Sequence, residues 1–137
     1  MNINRAGKST SIRGRAEWFT GEVWIDEISS SPEPSRVRVV RVTFTPDART
    51  AWHTHPAGQI LHILSGTARV QKAGGEVTEV HPGDTVWFEP GERHWHGAAP
   101  GCVMVHLAVQ QADATGNAVT WLEHVTETEY NRPPGAG

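Results

Sequence analysis

The sequence contains a single cysteine, Cys102, so no internal disulfide can form. No apolar run approaches the roughly 20 residues that a membrane-spanning helix needs. The segment Met1–Ser11 carries basic side chains with no apolar stretch behind them, which is not the pattern of a signal peptide. These absences predict a cytoplasmic protein with no membrane partner, since lone cysteines are usual in reducing compartments.

A strong charge of either sign is also missing. The chain has 12 Lys and Arg against 15 Asp and Glu, a net charge of −3, and its basic residues are scattered rather than clustered. This distribution argues against a nucleic-acid partner. Hydrophobic residues make up 37% of the 137 residues, as expected for one folded domain. Histidine and tryptophan are abundant, with eight and six copies.

Gly and Pro turns divide the chain into short segments of strand-like composition. Turns every eight to twelve residues favour a β-sandwich or barrel over a parallel sheet with crossover helices. We therefore predict one all-β domain over residues 1–137, with a barrel core of about 36–125, flexible ends and one helical turn at Thr126–Tyr130. The predicted strands are Val37–Phe44, Gln59–Leu64, Thr67–Lys72, Glu76–Val80, Thr85–Phe88, a strand through His94 and His96, and Cys102–Gln110.

Five of the eight histidines fall at positions that alternate onto one face of their strands. Residues two apart share a face of a strand, so His53 and His55 project together, as do His94 and His96. His106 lies on the same face of its strand as Gln110. Burying several imidazoles without partners is costly, and a metal ion is the partner that imidazole most often binds.

Two motifs around these histidines resemble a known family. The run Trp52–Gln59 (W-H-T-H-P-A-G-Q) resembles the first motif of the cupins, and Gly83–His94 (G-D-T-V-W-F-E-P-G-E-R-H) resembles the second. Within that superfamily, the chain resembles the bacterial manganese-dependent hydroxynitrile lyases. The likeness extends to Ala16–Gly21 and Trp121–Thr126, which is nearly the full chain.

The resemblance implies a cupin (jelly-roll) barrel that holds one divalent transition metal on His53, His55, Gln59 and His94. Mn²⁺ is expected from the resemblance alone, because imidazole and amide oxygen also suit Fe²⁺, Ni²⁺ and Zn²⁺. Most cupins carry Glu where this chain has Gln59. Four neutral donors leave the +2 charge uncompensated, which strengthens the ion as a Lewis acid.

The same resemblance implies roles for further residues. Cyanohydrin cleavage requires a base that takes the hydroxyl proton and returns a proton to cyanide, and His96 and His106 are the candidates. Gln110 is expected to hydrogen-bond the substrate or a metal-bound water. An apolar wall of the substrate pocket is predicted from Val40, Val42, Phe44 and Met104.

Two other functions share this fold and the histidine set. One is a metal-dependent dioxygenase, which Gln59 disfavours because a more positive site is less suited to a ferric state. The other is a non-enzymatic cupin that binds a metal and a small molecule. His62 is predicted on the opposite face of its strand, away from the metal. Apolar residues on both faces of the Cys102–Gln110 strand predict a homodimer or homotetramer.

Overall fold

A computed structural model describes residues 1–136, which form two antiparallel sheets and a single short helix. No helix in this range is both long and apolar enough to cross a bilayer. The predicted all-β barrel with a C-terminal helical turn is confirmed. The elements are β1 (Ile12–Arg13), β2 (Phe19–Thr20), β3 (Val23–Ser30), β4 (Val37–Phe44), β5 (Arg49–Thr50), β6 (His53–Thr54), β7 (Gln59–Ser65), β8 (Ala68–Lys72), β9 (Thr78–Val80), β10 (Thr85–Phe88), β11 (His94–Ala98), β12 (Met104–Gln111), β13 (Thr120–Trp121) and α1 (Glu127–Tyr130).

The two sheets bring distant parts of the chain side by side. The first has six strands in the order β1-β3-β4-β12-β7-β10. The second follows the order β13-β6-β11-β5-β2, with β8 also paired to β11 and β9 paired to β8. Strand β11 is therefore central to the second sheet, and β4 and β12 are central to the first, with β7 beside β12. The predicted site residues lie on β4, β6, β7, β11 and β12, and His55 directly follows β6.

Alternation along the strands separates the inside of the barrel from its outer surface. Val42 and Phe44 of β4 and Leu61 and Ile63 of β7 are buried, whereas their neighbours along each strand are more exposed. This is the two-residue period expected when one face of a sheet covers a core. The inward face of β12 continues from Met104 through His106 and Ala108. On this face, His106 therefore lies between the buried apolar side chains of Met104 and Ala108.

The sheet begins earlier in the chain than the predicted core of about 36–125. Strand β3 pairs with β4 along its length, and β1, within the segment expected to fray, pairs with β3. At the other end, the backbone N–H of Gly135 donates to the carbonyl of Val77 at 2.8 Å. The predicted flexible C-terminal end also includes Gly137, which lies outside the described residues.

The C-terminal helix is attached to the barrel through a buried arginine. The Arg49 guanidinium donates to the carbonyl of Val125 and to the Glu127 carboxylate, and it lies over the ring of Tyr130. Tyr130 in turn donates its hydroxyl proton to the Ala98 carbonyl at 2.7 Å. Thr126 caps the helix in a capping box with the third helical residue. This segment therefore packs against the second sheet, in one apolar cluster with Trp95.

Candidate active site

The four predicted metal ligands converge at the junction of the two sheets. His53 on β6 and His94 on β11 are direct cross-strand partners, with ring centroids 4.3 Å apart. The ring of His55 follows at 5.0 Å from His53, and Gln59 reaches in from the start of β7 in the other sheet. All four side chains are buried. The predicted ligand set therefore meets in one place.

Hydrogen bonds fix the three imidazoles in the form that can bind a metal. Each Nδ1 contacts a backbone carbonyl oxygen, at 2.8 Å for His53, 2.7 Å for His55 and 2.8 Å for His94. A carbonyl can only accept, so each Nδ1 carries the proton and each neutral ring keeps a lone pair on Nε2. The Nε2 of His55 is buried and has no hydrogen-bond partner. The lone pair on this nitrogen is therefore available to bind a metal ion.

A close contact between two acceptors supports the same interpretation. Nε2 of His94 lies 3.2 Å from Oε1 of Gln59. Burial lowers the pKa of His94 to about 4, so the ring is neutral near pH 7 and its one proton is on Nδ1. Neither facing atom then has a proton to share, and a cation between them would satisfy both. The buried histidines that could bind a metal ion are His53, His94 and His96, because their ligand atoms lie within 4.8 Å of one another. His55 is not in that group, and the amide oxygen of Gln59 faces His94.

His96 and His106, the two candidate bases, form a hydrogen-bonded pair next to the ligands. Nε2 of His106 lies 3.1 Å from Nδ1 of His96, and both rings are buried. The remaining nitrogens, Nε2 of His96 and Nδ1 of His106, have no partner. The ligand atoms of His53, His94 and His96 lie within 4.8 Å of one another. His96, predicted as a base, therefore belongs to the histidine group that could hold a metal ion, and His106 stands behind it on the opposite sheet.

A cavity of about 160 Å³ opens onto this histidine cluster. No acidic side chain lines it within the described part of the chain, so nothing there neutralises a bound dication. Three of the four predicted wall residues and both candidate bases line the cavity. The lining side chains are Phe19, Ile25, Val40, Val42, Phe44, Thr50, His53, His55, Gln59, His96, His106, Ala108, Gln110, Val119 and Trp121.

Comparison with known proteins agrees with this geometry. The cupin domain family matches residues 40–108. The (R)-mandelonitrile lyase of Granulicella tundricola is 54% identical to this chain over 132 residues, which cover 96% of this chain and all of that protein. The chain belongs to the cupin family. The predicted resemblance is thereby confirmed.

Solved structures place this cupin among close structural neighbours. A cupin-like protein of Thermotoga maritima is 34% identical and superposes with a TM-score of 0.81, with 100% of each chain covered. A polyketide cyclase of Streptomyces resistomycificus has a TM-score of 0.72 over 95% of this chain and 90% of its own. At 19% identity the cyclase is evidence of a common fold alone.

Met104, predicted in the pocket wall of this cupin, does not line the cavity. It is fully buried in a core cluster with Phe44 and Val23, at the far end of β12 from Gln110. The two-residue period correctly assigned Met104 to the inside of the barrel, but it carries no information about depth along the strand.

Sequence reasoning also missed part of the cavity lining. Phe19, Ile25, Val119 and Trp121 come from segments outside the two motifs. Thr50 was overlooked as well, although its hydroxyl oxygen accepts from the backbone N–H of His96 at 3.2 Å. The signal available in the sequence was the likeness of Ala16–Gly21 and Trp121–Thr126 to the lyases. That likeness covered Phe19 and Trp121 without assigning their side chains a role, and Ile25, Thr50 and Val119 lie outside it.

The buried histidines predict how stability depends on pH in the cupin stripped of metal. Burial lowers the pKa of both His94 and His106 from 6.5 to about 4, and it lowers the pKa of His53, His55 and His96 as well. Between about pH 6.5 and 4 the unfolded chain binds more protons than the folded one, so acidification favours unfolding. At about pH 5, His94 and His106 should each cost about 2 kcal/mol of folding stability.

Thermal melts in the presence of a chelator, between about pH 7 and 5, test this dependence. We expect the melting temperature to fall by about 10 °C or more over that range. His106→Gln should make the slope shallower, because it removes one of the buried imidazoles. A melting temperature that stays level down to about pH 5 would contradict the assignment of neutral buried imidazoles.

Proposed function

We propose that this cupin is a metal-dependent hydroxynitrile lyase, which splits a cyanohydrin into cyanide and an aldehyde or ketone and catalyses the reverse addition. The proposal rests mainly on one observation. His53, His55, Gln59 and His94 lie close together beside a cavity that has no charged side chain among the described residues and that the hydrogen-bonded pair His96 and His106 also lines. That the chain is an enzyme of the lyase class follows from its 54% identity, over nearly its whole length, to an (R)-mandelonitrile lyase.

The metal would be held by Nε2 of the three histidines and Oε1 of Gln59. When bound, a divalent ion supplies Lewis acidity toward the substrate oxygen, at full strength because all four donors are neutral. We propose Mn²⁺ as the physiological ion, on the resemblance to the manganese-dependent lyases. Fe²⁺, Ni²⁺ and Zn²⁺ also match a donor set of imidazole and amide oxygen.

Proton transfer is assigned to His96, with His106 as its partner. Nε2 of His96 is unpartnered beside the ligands, so it can take the proton of the cyanohydrin hydroxyl. As the carbonyl forms, the bond between carbon and the nitrile breaks and its electron pair leaves with cyanide. The proton on His96 then passes to cyanide and gives hydrogen cyanide. Nε2 of His106 stays hydrogen-bonded to Nδ1 of His96 throughout, which orients the His96 ring.

The substrate side chain would bind against the apolar part of the cavity. Val40, Val42 and Phe44 line one wall, from β4. Phe19 and Trp121 provide aromatic surface, with ring centroids 5.5 Å apart. An aromatic or aliphatic cyanohydrin suits such a lining, since few polar groups compete for it. We therefore expect mandelonitrile to be a good substrate.

A second copy of this chain is the proposed macromolecular partner. Four large apolar side chains on β7, on β10 and just before β12 remain exposed, and a partner subunit would cover them. Light scattering on the purified protein should give the mass of a homodimer or homotetramer, and a mass near 15 kDa would exclude both. The exposed side chains are Ile60 (38%), Leu64 (42%), Trp87 (50%) and Val103 (50%).

The function is tested by combining metal analysis with a cleavage assay. Protein loaded with Mn²⁺ should release benzaldehyde from mandelonitrile well above the buffer rate, and chelation should abolish the excess. Elemental analysis of the protein as purified identifies the ion. Metal-loaded protein that leaves several cyanohydrins uncleaved with every candidate ion would refute the lyase assignment.

Substituting Gln59 tests the role of the uncompensated charge. Gln59→Glu should keep or tighten metal binding, because carboxylate is also a good ligand, but it removes one unit of positive charge. The weaker Lewis acid should lower the rate constant for cleavage by about tenfold or more. Measuring kcat and metal content on the same samples separates these effects. Unchanged turnover at full metal loading would eliminate the charge argument.

A further inference from the structure

We propose that Gln110 is a positioning residue that holds the amide of Gln59 with its oxygen, rather than its nitrogen, toward the metal position. The inference rests on the proposed metal centre and assigns Gln110 a role other than the substrate contact expected from sequence. Nε2 of Gln59 donates to Oε1 of Gln110 at 2.8 Å. The opposite end of the same amide, Oε1, faces Nε2 of His94 at 3.2 Å.

The sheet itself sets up this contact. Gln59 at the start of β7 and Gln110 on β12 are directly paired across the two strands. Directly opposed residues on one face of an antiparallel pair bring their Cβ atoms within about 5.5 Å, close enough for two amides to meet. Gln59 is buried and Gln110 is half-buried. The interaction therefore lies at the edge of the cavity rather than in bulk water.

An amide needs such a partner because its two ends have nearly the same shape and opposite chemistry. The oxygen has lone pairs and can bind a cation, whereas the NH₂ group can only donate. With no other constraint, the lone pair on His94 Nε2 would attract the NH₂ group of Gln59, and the oxygen would turn away. An acceptor at Gln110 Oε1 engages the NH₂ group from the other side. The position of that acceptor selects the orientation that can bind a metal.

The other cross-strand neighbour of Gln59 restrains a second ligand. Phe88 on β10 is paired with Gln59, and its ring stacks on His94 with a centroid distance of 3.7 Å and an interplanar angle of 15°. The row Phe88–Gln59–Gln110 thus crosses three strands. One end of the row packs against the imidazole of His94, and the other end binds the amide. Groups that orient ligands in this way commonly change metal affinity 10- to 100-fold when replaced.

Isothermal titration calorimetry of Mn²⁺ into the metal-stripped protein measures metal affinity, so it tests the proposal without relying on turnover. Gln110→Met keeps the length of the side chain and removes the acceptor, so it should weaken binding by about 10- to 100-fold. Gln110→Asn withdraws the acceptor by one methylene and should also weaken binding. Gln110→Glu keeps an acceptor in place and should restore at least the parent affinity. Gln111→Met, at the next residue and on the exposed face, is the matched control and should bind like the parent.

A double-mutant cycle distinguishes positioning from general damage. In a Gln59→Leu background there is no amide to orient, so Gln110→Met should cost no further affinity and Gln110→Glu should restore none. Parent-like affinity in folded Gln110→Met or Gln110→Asn would overturn the proposal. An equal loss of Mn²⁺ affinity from Gln110→Met in the parent and in the Gln59→Leu background would also overturn it. Protein that binds Mn²⁺ as expected but cleaves no cyanohydrin would refute the proposed lyase function and leave the positioning role intact.

Discussion

Replacing His53 with alanine is expected to abolish metal binding and cyanohydrin cleavage together. Its ring lies at the centre of the site, 4.3 Å from His94, 5.0 Å from His55 and 5.2 Å from His96 between ring centroids. Alanine removes one of the four donors and leaves a buried void that cannot hold the ion in place. Without the ion nothing offsets the negative charge that develops on the substrate oxygen. Turnover should therefore fall to the rate in buffer.

Melting temperatures with and without Mn²⁺ give a readout of this variant that does not depend on activity. A ligand present at 100 times its Kd stabilises the folded state by about 2.7 kcal/mol, and the parent should show an increase of this size. His53→Ala should show no increase at the same concentration. His62→Ala is the control, because His62 is paired with Thr85 on the outer face of β7 and should behave like the parent. A His53→Ala protein that still cleaves mandelonitrile would show that the site has been wrongly assigned.

The sequence predicted the motif-bearing half of the molecule closely. Strands β4 and β10, for instance, have the expected bounds, and the four residues predicted as metal ligands lie near one another. The reason is that turn residues and two-residue alternation both operate over a few positions, so they can be read locally. The helical turn at Thr126–Tyr130 is equally local, and it was predicted for the same reason.

Strand β3 escaped prediction because its alternation is interrupted. Val23 and Ile25 face inward, but the pairing with β4 shifts between Glu27 and Ser29, where a bulge breaks the period of two. An uninterrupted pattern would have signalled a strand beside the pocket. Ile25 reaches the cavity because β3 pairs with β4, so its position in the lining was not predicted either.

Contacts between distant segments could not be predicted from the sequence either. Trp121 packs against His53 with ring centroids 4.7 Å apart, and it stacks on Trp18 at 5.4 Å. Likewise, the hydrogen bond between Gln59 and Gln110 depends on the register of β7 against β12. Spacing along the chain identifies residues that share a face, but only tertiary pairing determines which of them touch. The orientation of each ligand therefore had to come from the structure.

Substituting His96 is expected to uncouple catalysis from metal binding. His96→Asn leaves the four proposed ligands in place and removes the free Nε2 that would exchange the proton. General acid–base catalysis of this kind contributes about 10²- to 10⁴-fold, so kcat should fall by that factor while metal content stays at the parent level. His106→Asn should have a smaller effect, because it removes only the partner that orients the ring through the 3.1 Å hydrogen bond.

The double variant shows whether the two histidines act as a unit. If His106 works only through His96, adding His106→Asn to His96→Asn should lower kcat no further, as expected for residues that share one function. His62→Asn serves as the control for a histidine outside the cavity. Full loss in His106→Asn with near-parent activity in His96→Asn would reverse the roles and make His106 the base. Independent, multiplicative losses would instead mean that each imidazole acts on the substrate separately.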